Sequence, residues 1–183
     1  MANLILNQKL VYVTDTQLSS LMIQELLKQI KVLPTEDGKV NNNDDSMRSS
    51  KISWLSWNHW IAGIIHNLFI TANNDYFEYD LNHFDSGLQV TTYSKGDHYT
   101  WHCDGRGGDT PEGMERKLSM SLLLTDEYSG GELEIEHCKW KKVFKPKAGN
   151  AVIFPAWLAH RVKPVESGKR VSIVTWLNGP NFK

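Results

Sequence analysis

Hydrophobic positions recur with helical spacing in two stretches of the N-terminal part of the chain. In the first, residues 14–17 (TDTQ) match a capping box, and apolar residues then return every three or four positions as far as Ile30. In the second, a stripe that includes Trp57, Trp60 and Phe69 follows the same rhythm. The pattern predicts two amphipathic helices, and we expect the tryptophans of the second helix to pack in the core.

The pattern of hydrophobic residues changes after residues 73–75 (NND), where the second helix is expected to end. Residues 34–50, between the helices, are polar and rich in turn formers, which predicts a long surface loop. No helical period remains after residue 75 to supply crossover connections, so the pattern favours a helix-supported β-sandwich or jelly roll over a parallel α/β sheet. The predicted strands cover residues 77–81, 88–94, 99–103, 118–125, 132–137, 141–144, 151–154, 161–165 and 170–177.

Composition is that of an ordinary globular protein. The 183 residues suit a single domain, with residues 1–75 as helical support and residues 76–183 as the β core. A hydrophobic content of 40%, a charged content of 22% and a net charge of -1 give no electrostatic reason to expect nucleic acid or an anionic membrane as a partner. The N-terminus lacks a signal-peptide core, and the longest mostly apolar run, residues 61–70, is too short to span a bilayer. We therefore expect a soluble, cytoplasmic protein.

Three potential metal ligands lie side by side in the stretch YTWHCDG, residues 99–105. On a strand, residues i and i+2 point to the same face, so His102 and Asp104 can converge on one ion. Cys103 then points away from that ion, and we expect it to pack on the opposite face. The strand period thus excludes the thiol as a partner of the other two ligands.

His160 is the best candidate for a third ligand, because it begins a strand-like segment, HRVKPV. Two histidines and one carboxylate form the facial triad of non-haem Fe(II) oxygenases, which leaves open positions for substrates. Zinc is the weaker alternative, since closed structural zinc sites have four ligands, usually with cysteines.

The other histidines have structural interpretations. His83 and Asp85 form a second His-x-Asp pair, but the turn signal SG follows directly, so we expect Asp85 to cap a turn. His98 shares the strand parity of His102 and is the hardest to assign. The remaining three are expected to be core or surface residues: His59, His66 and His137.

Taken together, the residues resemble the 2-oxoglutarate- and Fe(II)-dependent dioxygenases, in particular the prolyl 4-hydroxylase-like branch. The resemblance is carried by a YxxGxxYxxHxD pattern from Tyr93 to Asp104. Four further blocks follow in the order of that family, at residues 122–125, 130–133, 149–154 and 160–176, and an RSS segment at residues 48–50 is also similar. The resemblance implies a double-stranded β-helix that holds iron with His102, Asp104 and His160.

The resemblance also implies a binding site for the co-substrate 2-oxoglutarate. Arg170, ten positions after His160, is similar to the residue that pairs with its distal carboxylate, and Tyr93 is similar to the hydroxyl partner. Ser172 is expected to donate a second hydrogen bond to that carboxylate. A guanidinium offers a planar fork for a carboxylate, which lysine does not. The strand period places Arg170, Ser172, Val174 and Trp176 on one face of the strand KRVSIVTWL.

The reaction implied by the resemblance is hydroxylation of an unactivated C–H bond. O2 is consumed, 2-oxoglutarate is decarboxylated to succinate, and ascorbate is expected to support turnover. A prolyl residue of a peptide or protein is the favoured substrate, with a free amino acid or another small molecule as the alternative. Nucleic-acid demethylating relatives carry a second arginine six positions after the co-substrate arginine, where this chain has Trp176. A non-catalytic jelly-roll binding module is a further alternative, although the three ligands and Arg170 are intact.

Two neighbouring features are expected to frame the substrate. Residues 105–116 (GRGGDTPEGMER) have the glycine and charge content of a mobile loop, and we predict a lid there. Arg161 alternates away from the metal face, so we expect a structural or rim position for it.

Overall fold

The chain forms two antiparallel sheets that enclose a pocket, with two helices packed against the larger sheet. The computed structural model describes residues 10–38, 46–85, 87–105 and 110–182. Within these ranges the helices are α1 (Ser20–Lys31) and α2 (Ile61–Ala72), and α2 continues into a π-helical turn, Asn73–Phe77. The strands are β1 (Tyr12–Asp15), β2 (Glu36–Asp37), β3 (Arg48–Ser49), β4 (Lys51–Leu55), β5 (His83–Phe84), β6 (Leu88–Tyr93), β7 (His98–His102), β8 (Met114–Leu123), β9 (Tyr128–Gly130), β10 (Leu133–His137), β11 (Trp140–Phe144), β12 (Asn150–Pro155), β13 (Ala159–Val162), β14 (Val165–Gly168) and β15 (Arg170–Pro180).

The larger sheet has the order β1-β12-β8-β15-β6-β4-β2, with β5 added on β15, and the smaller sheet has the order β11-β10-β13-β7-β3. A separate pair, β14-β9, lies outside both sheets. One hydrophobic cluster fills the space between the helices and the larger sheet, and a second cluster is built from β6, β10, β12, β13 and their neighbours. The prediction of a mainly β jelly roll with N-terminal helical support is confirmed.

Helix α1 begins later than the sequence pattern predicts. The Ser19 hydroxyl accepts a hydrogen bond from the Met22 amide at 3.3 Å, so Ser19 is the N-cap. Residues 14 and 15 instead lie in β1, which pairs with β12. The predicted capping box at residues 14–17 is therefore wrong, because long-range strand pairing engages its first two residues.

Helix α2 buries the face that its apolar period predicts, including Ile61, Ile65 and Phe69. The two tryptophans that precede α2 differ in burial: Trp57 packs against the core cluster, whereas Trp60 is 40% exposed. The expectation of a core position is wrong for Trp60, which lies at the helix N-cap and donates its indole N–H to the Gln29 side chain at 3.1 Å. None of the helices in the described residues is long and apolar enough to cross a bilayer.

The predicted strand at residues 77–81 is also wrong. Glu78 has a left-handed backbone with φ of 60°. The Asn73 side chain donates from its amide nitrogen to the Tyr79 carbonyl at 3.0 Å and accepts from the Tyr79 backbone N–H at 2.9 Å. Most other predicted strands are present with shifted ends. The predicted strand 161–165 is divided between β13 and β14, and β8 starts at Met114 because its first residues pair with the end of β15.

Candidate active site

Strand pairing brings three candidate ligands to one point. His102 on β7 lies directly opposite His160 on β13, and Asp104 follows β7 by two residues. Nε2 of His102 lies 3.6 Å from Asp104 Oδ1, and Nε2 of His160 lies 3.4 Å from Asp104 Oδ2. One ligand atom from each residue falls within 4.8 Å of the others, and all three side chains are largely buried. The geometry is that of a three-ligand metal site.

A β-bulge determines which other residue of β7 points to the same face as His102. His160 pairs with His102, but Val162 pairs with Tyr99, so β7 has one residue more than β13 in this interval. Tyr99 therefore lies on the side of His102, and their rings stack with centroids 3.5 Å apart. The regular strand period would have placed His98 there; its Nε2 instead lies 3.1 Å from the Ser46 carbonyl.

Both imidazoles are oriented by backbone carbonyls. His102 Nδ1 lies 2.8 Å from the Thr100 carbonyl and His160 Nδ1 lies 3.0 Å from the Leu158 carbonyl. An Nδ1–H donated to a carbonyl leaves Nε2 as a lone-pair donor, the arrangement that metal-ligating histidines adopt. Both Nε2 atoms face the Asp104 carboxylate.

The charges of the site suit a cation. Burial lowers the pKa of His102 to about 4, with the neighbouring His160 acting in the same direction. Burial would raise the pKa of Asp104, but the two histidines and the Trp176 indole outweigh it and hold that pKa well below its usual range. Asp104 is therefore an ionised ligand at neutral pH, and the nitrogen, oxygen and nitrogen donors match the facial triad of Fe(II).

A cavity of about 190 Å³ opens beside these ligands and is lined by both sheets. Arg170, Ser172, Val174 and Trp176 all line it, as the strand period predicts, while Val171, Ile173 and Leu177 pack in the core cluster behind. Side chains from β7 and β13 close the opposite wall. The cavity-facing side of β15 thus places the Arg170 guanidinium in the same cavity as the candidate metal ligands.

Arg170 is only 2% exposed, yet it has no carboxylate partner in the described part of the chain. Its Nη1 donates to the Ser172 hydroxyl at 2.8 Å and its Nη2 to the Ser121 hydroxyl at 3.4 Å, while Nε is buried without a hydrogen bond. Tyr93 lies directly opposite on β6, and burial raises the pKa of its phenol, which keeps it a hydrogen-bond donor. An unpaired buried guanidinium calls for an anionic ligand. These groups fit the distal carboxylate of 2-oxoglutarate.

Two predictions around the metal pair are wrong. Cys103 lies outside the ligand group, as predicted, but it is exposed to solvent and free instead of packed on the opposite face. Among the described residues the Asp85 carboxylate caps no turn: it is buried and accepts a hydrogen bond from Arg116 Nε at 2.8 Å. His83 lies on β5, outside the ligand group. Ser86, part of the turn signal, lies outside the described residues.

The loop predicted as a lid is shorter than its sequence suggests. Its last three residues, 114–116, belong to β8 and pair with the end of β15. The Arg116 amide donates to the Gly105 carbonyl at 2.8 Å, which closes the base of the loop. Residues 106–109 lie outside the described residues. Arg161 lies outside the cavity lining, where its Nε donates to Glu134 at 2.6 Å, in keeping with a structural position.

Several residues that line the cavity were not predicted from the sequence. On β6, Gln89 and Thr91 alternate with the predicted Tyr93 and turn polar side chains inward, and this signal was readable in the segment QVTTY. Arg48, which belongs to the RSS segment, extends over the Tyr99 ring at 4.8 Å. Three further lining residues carried no local sequence signal: Trp54, Arg116 and Ser121. Neither did Ser119, which lies outside the lining and donates to the Asp104 carboxylate.

A known protein family matches the part of the chain that carries most of these residues. The model of the 2OG-Fe(II) oxygenase superfamily matches residues 88–178, a span that carries the three ligands, Tyr93 and Arg170. The chain belongs to this superfamily. Its members' cofactors, Fe(II) and 2-oxoglutarate, fit the donor set and the buried guanidinium of the cavity.

Relatives and solved structures similar to this chain include a PKHD-type hydroxylase and two prolyl hydroxylases. A PKHD-type hydroxylase of Prochlorococcus marinus is 32% identical over 141 residues, which cover 76% of this chain and 60% of the relative. A prolyl hydroxylase of Trichoplax adhaerens, in complex with a peptide fragment of the hypoxia inducible factor oxygen degradation domain, has a TM-score of 0.76 at 19% identity and covers 94% of this chain and 84% of that one. A viral collagen prolyl hydroxylase of Paramecium Bursaria Chlorella virus-1, in its 2OG complex, has a TM-score of 0.71 at 22% identity and covers 96% and 99% of the two chains.

The two structural likenesses, at these identities, concern the fold. The chain spans about two fifths to three fifths of the length of the curated relatives it matches. The family and its cofactors therefore rest on the matched residues 88–178 and the geometry of the site, while the substrate requires a separate argument.

Proposed function

We propose that this oxygenase hydroxylates a prolyl residue of a peptide or protein, using Fe(II), 2-oxoglutarate and O2. The observation that carries the proposal is a single cavity that holds two features. One is a candidate three-ligand site, His102, Asp104 and His160, and the other is the buried guanidinium of Arg170, which has no carboxylate partner among the described residues. A metal site alone is compatible with many reactions. The added cationic pocket is what a co-substrate carboxylate requires.

One group of residues would bind the metal and another would bind the co-substrate. His102 and His160 would bind Fe(II) through Nε2, with Asp104 as the third ligand. Arg170 would take the distal carboxylate of 2-oxoglutarate through its fork, with Tyr93 and Ser172 adding hydrogen bonds. When bound, Fe(II) and 2-oxoglutarate supply the chemistry that activates O2 and oxidises a C–H bond, with release of succinate and CO2.

Aromatic residues of the cavity support a prolyl substrate. Trp54 and Trp176 both line the cavity, and Trp54 is 44% exposed, which leaves part of its indole accessible to an incoming side chain. A pyrrolidine ring is apolar and packs well on aromatic faces. Arg48 and Arg116 also line the cavity and offer N–H donors for backbone carbonyls of an extended peptide. A relative in this branch is named as a hydroxylase, and one structural neighbour holds a peptide fragment.

A free amino acid is the second candidate. The observation that favours it is the small volume of the cavity, about 190 Å³, into which three arginines direct positive charge. A single amino acid would satisfy one of these arginines with its own α-carboxylate. A peptide would instead contact Arg48 and Arg116 through its carbonyl groups.

The test uses purified protein with Fe(II), 2-oxoglutarate and ascorbate in air. We expect succinate release that increases when proline-containing peptides are added, together with a peptide product heavier by one oxygen atom in mass spectrometry. Free proline and other amino acids form the second arm of the experiment. If peptides are inert and a free amino acid gains oxygen, the second candidate replaces the first. Absence of succinate release from iron-loaded protein in every arm would remove the enzymatic proposal.

A further inference from the structure

The Asp104 carboxylate is held asymmetrically by two neighbouring side chains. The Ser119 hydroxyl donates to Asp104 Oδ2 at 2.8 Å, and the Trp176 indole N–H donates to the same oxygen, also at 2.8 Å. Both donors are buried, and they come from adjacent strands of the larger sheet, β8 and β15, on which Ser119 and Trp176 pair directly. One oxygen of the ligand is thus fixed from the sheet opposite to the one that carries the histidines.

The other oxygen, Oδ1, accepts no hydrogen bond from the described residues. Each oxygen of an ionised carboxylate offers about two lone-pair sites, so two donors on Oδ2 occupy that oxygen. Oδ1 keeps its lone pairs and lies 3.6 Å from Nε2 of His102. The two oxygens are therefore chemically distinct before any metal binds.

The Trp176 indole is itself held in place. The Arg116 guanidinium lies over its ring, with Cζ 3.7 Å from the ring centroid. Arg116 in turn is bound by the buried carboxylate of Asp85. A continuous line of contacts therefore runs from Asp85 through Arg116 and Trp176 to the metal ligand Asp104, and it fixes the direction in which the indole N–H points.

We propose that Ser119 and Trp176 are positioning residues that reserve Oδ1 of Asp104 for the metal and prevent the carboxylate from binding through both oxygens. A carboxylate that binds through one oxygen leaves more coordination positions for other ligands than one that binds through two. The inference rests on the metal site of the proposed function and adds residues that do not contact the metal. Partners of this kind commonly affect metal affinity by about 10–100-fold.

The test replaces one donor at a time and measures the affinity for Co(II), a spectroscopic substitute for Fe(II), in titrations followed by visible absorption. Trp176→Phe keeps an aromatic ring beside Arg116 but removes the N–H donor. Ser119→Ala removes the hydroxyl, and Ser119→Thr retains it. We expect each loss variant to weaken Co(II) affinity by roughly 10–100-fold and to change the absorption band of bound Co(II), with Ser119→Thr close to the wild type in both.

Matched controls remove a buried serine hydroxyl and an indole at other places in the fold. Ser53 on β4 is buried in the larger sheet and lies outside the cavity lining, so Ser53→Ala is expected to leave Co(II) affinity and spectrum unchanged. Trp140→Phe, on β11 and outside the cavity lining, controls for the loss of an indole elsewhere. Thermal unfolding of each variant shows whether the fold is retained, and Ser119→Ala tests the inference even where Trp176→Phe unfolds.

The outcomes separate the inference from the proposed function. If the wild type binds Co(II) and both loss variants keep its affinity and absorption band, the positioning role is overturned while the metal site stands. If Ser119→Thr is as impaired as Ser119→Ala, packing and not the hydroxyl is responsible, and the role is equally overturned. If the wild type itself binds no Co(II), the metal site falls together with the inference.

Discussion

Arg170 and Tyr93 face one another as a registered pair across β15 and β6, and the Arg170 guanidinium lies 5.5 Å from the Tyr93 ring centroid. Both side chains are almost fully buried, and both line the cavity. The pair therefore places a fixed positive charge beside a neutral phenol donor in the cavity that also contains the candidate metal ligands. A dicarboxylic co-substrate that chelates the metal at one end would place its other end here.

The first prediction concerns this pair. Arg170→Lys keeps the charge but loses the planar fork, and hydrogen bonds between charged groups contribute about 1.5–3 kcal/mol each. We expect the 2-oxoglutarate concentration for half-maximal turnover to increase by roughly tenfold or more, and Tyr93→Phe to cause a smaller increase in the same direction. Succinate release at varied 2-oxoglutarate measures both effects.

Arg161→Lys is the matched control, because Arg161 forms an ion pair with Glu134 outside the cavity. It is expected to leave the 2-oxoglutarate requirement unchanged. A larger effect of Arg161→Lys than of Arg170→Lys would show that the co-substrate has been assigned to the wrong arginine.

The second prediction concerns the metal ligands. Asp104→Ala removes the only carboxylate among the described residues that line the cavity and leaves the two histidines. We expect loss of stoichiometric Fe(II) binding, measured under anaerobic conditions, and loss of succinate release. His83→Ala, in the other His-x-Asp pair, is the control and is expected to bind Fe(II) normally. Equal loss in the two variants would contradict the choice of His102 and Asp104 over the second pair.

Local sequence patterns were sufficient for part of this site. The i, i+2 spacing placed His102 and Asp104 together, and the strand period assigned Arg170 and Ser172 to the cavity face of β15. The second rule acts within β15, where the backbone alone determines direction, whereas Asp104 lies two residues beyond the end of β7. His160 was selected as the third ligand from its strand-like segment HRVKPV, and its position opposite His102 depends on the pairing of β13 with β7.

The parts that could not be predicted depend on contacts between distant residues. The bulge between β7 and β13 changes the parity of Tyr99 and His98, and nothing in the segment HYTWH marks it. The partner of Asp85 is Arg116, 31 positions away, so a local turn signal gave the wrong role. The start of α1 was misplaced for the same reason, because β12 recruits residues 12–15 into the larger sheet.

The third prediction tests where α1 begins. Ser19 supplies the N-cap hydrogen bond, and replacement of such a residue by alanine costs about 1 kcal/mol of stability. We expect Ser19→Ala to lower the free energy of unfolding by about that amount in urea titrations. Thr14→Ala, in β1, removes no cap and is the control. A larger loss for Thr14→Ala would favour the capping box at residues 14–17 over the observed cap.

The fourth prediction concerns the ion pair between Asp85 and Arg116. The two side chains are 7% and 16% exposed, and Arg116 stacks on Trp176. Removing one member of a buried pair leaves an uncompensated charge and costs about 3–5 kcal/mol, with the partial exposure of Arg116 favouring the lower end. Asp85→Ala is therefore expected to destabilise the protein by about 3 kcal/mol and to reduce peptide hydroxylation, since Arg116 lines the cavity.

A double-mutant cycle with Arg116→Met separates the pair from its surroundings. The two residues are in contact, so the double variant is expected to be less destabilised than the sum of the single variants, with a coupling energy in the range of about 0.5–3 kcal/mol. Hydroxylation of a fixed peptide and urea unfolding are measured on all four proteins. Additive losses would show that Asp85 does not hold Arg116, and wild-type peptide turnover in Asp85→Ala would show that the orientation of Arg116 is not needed for substrate binding.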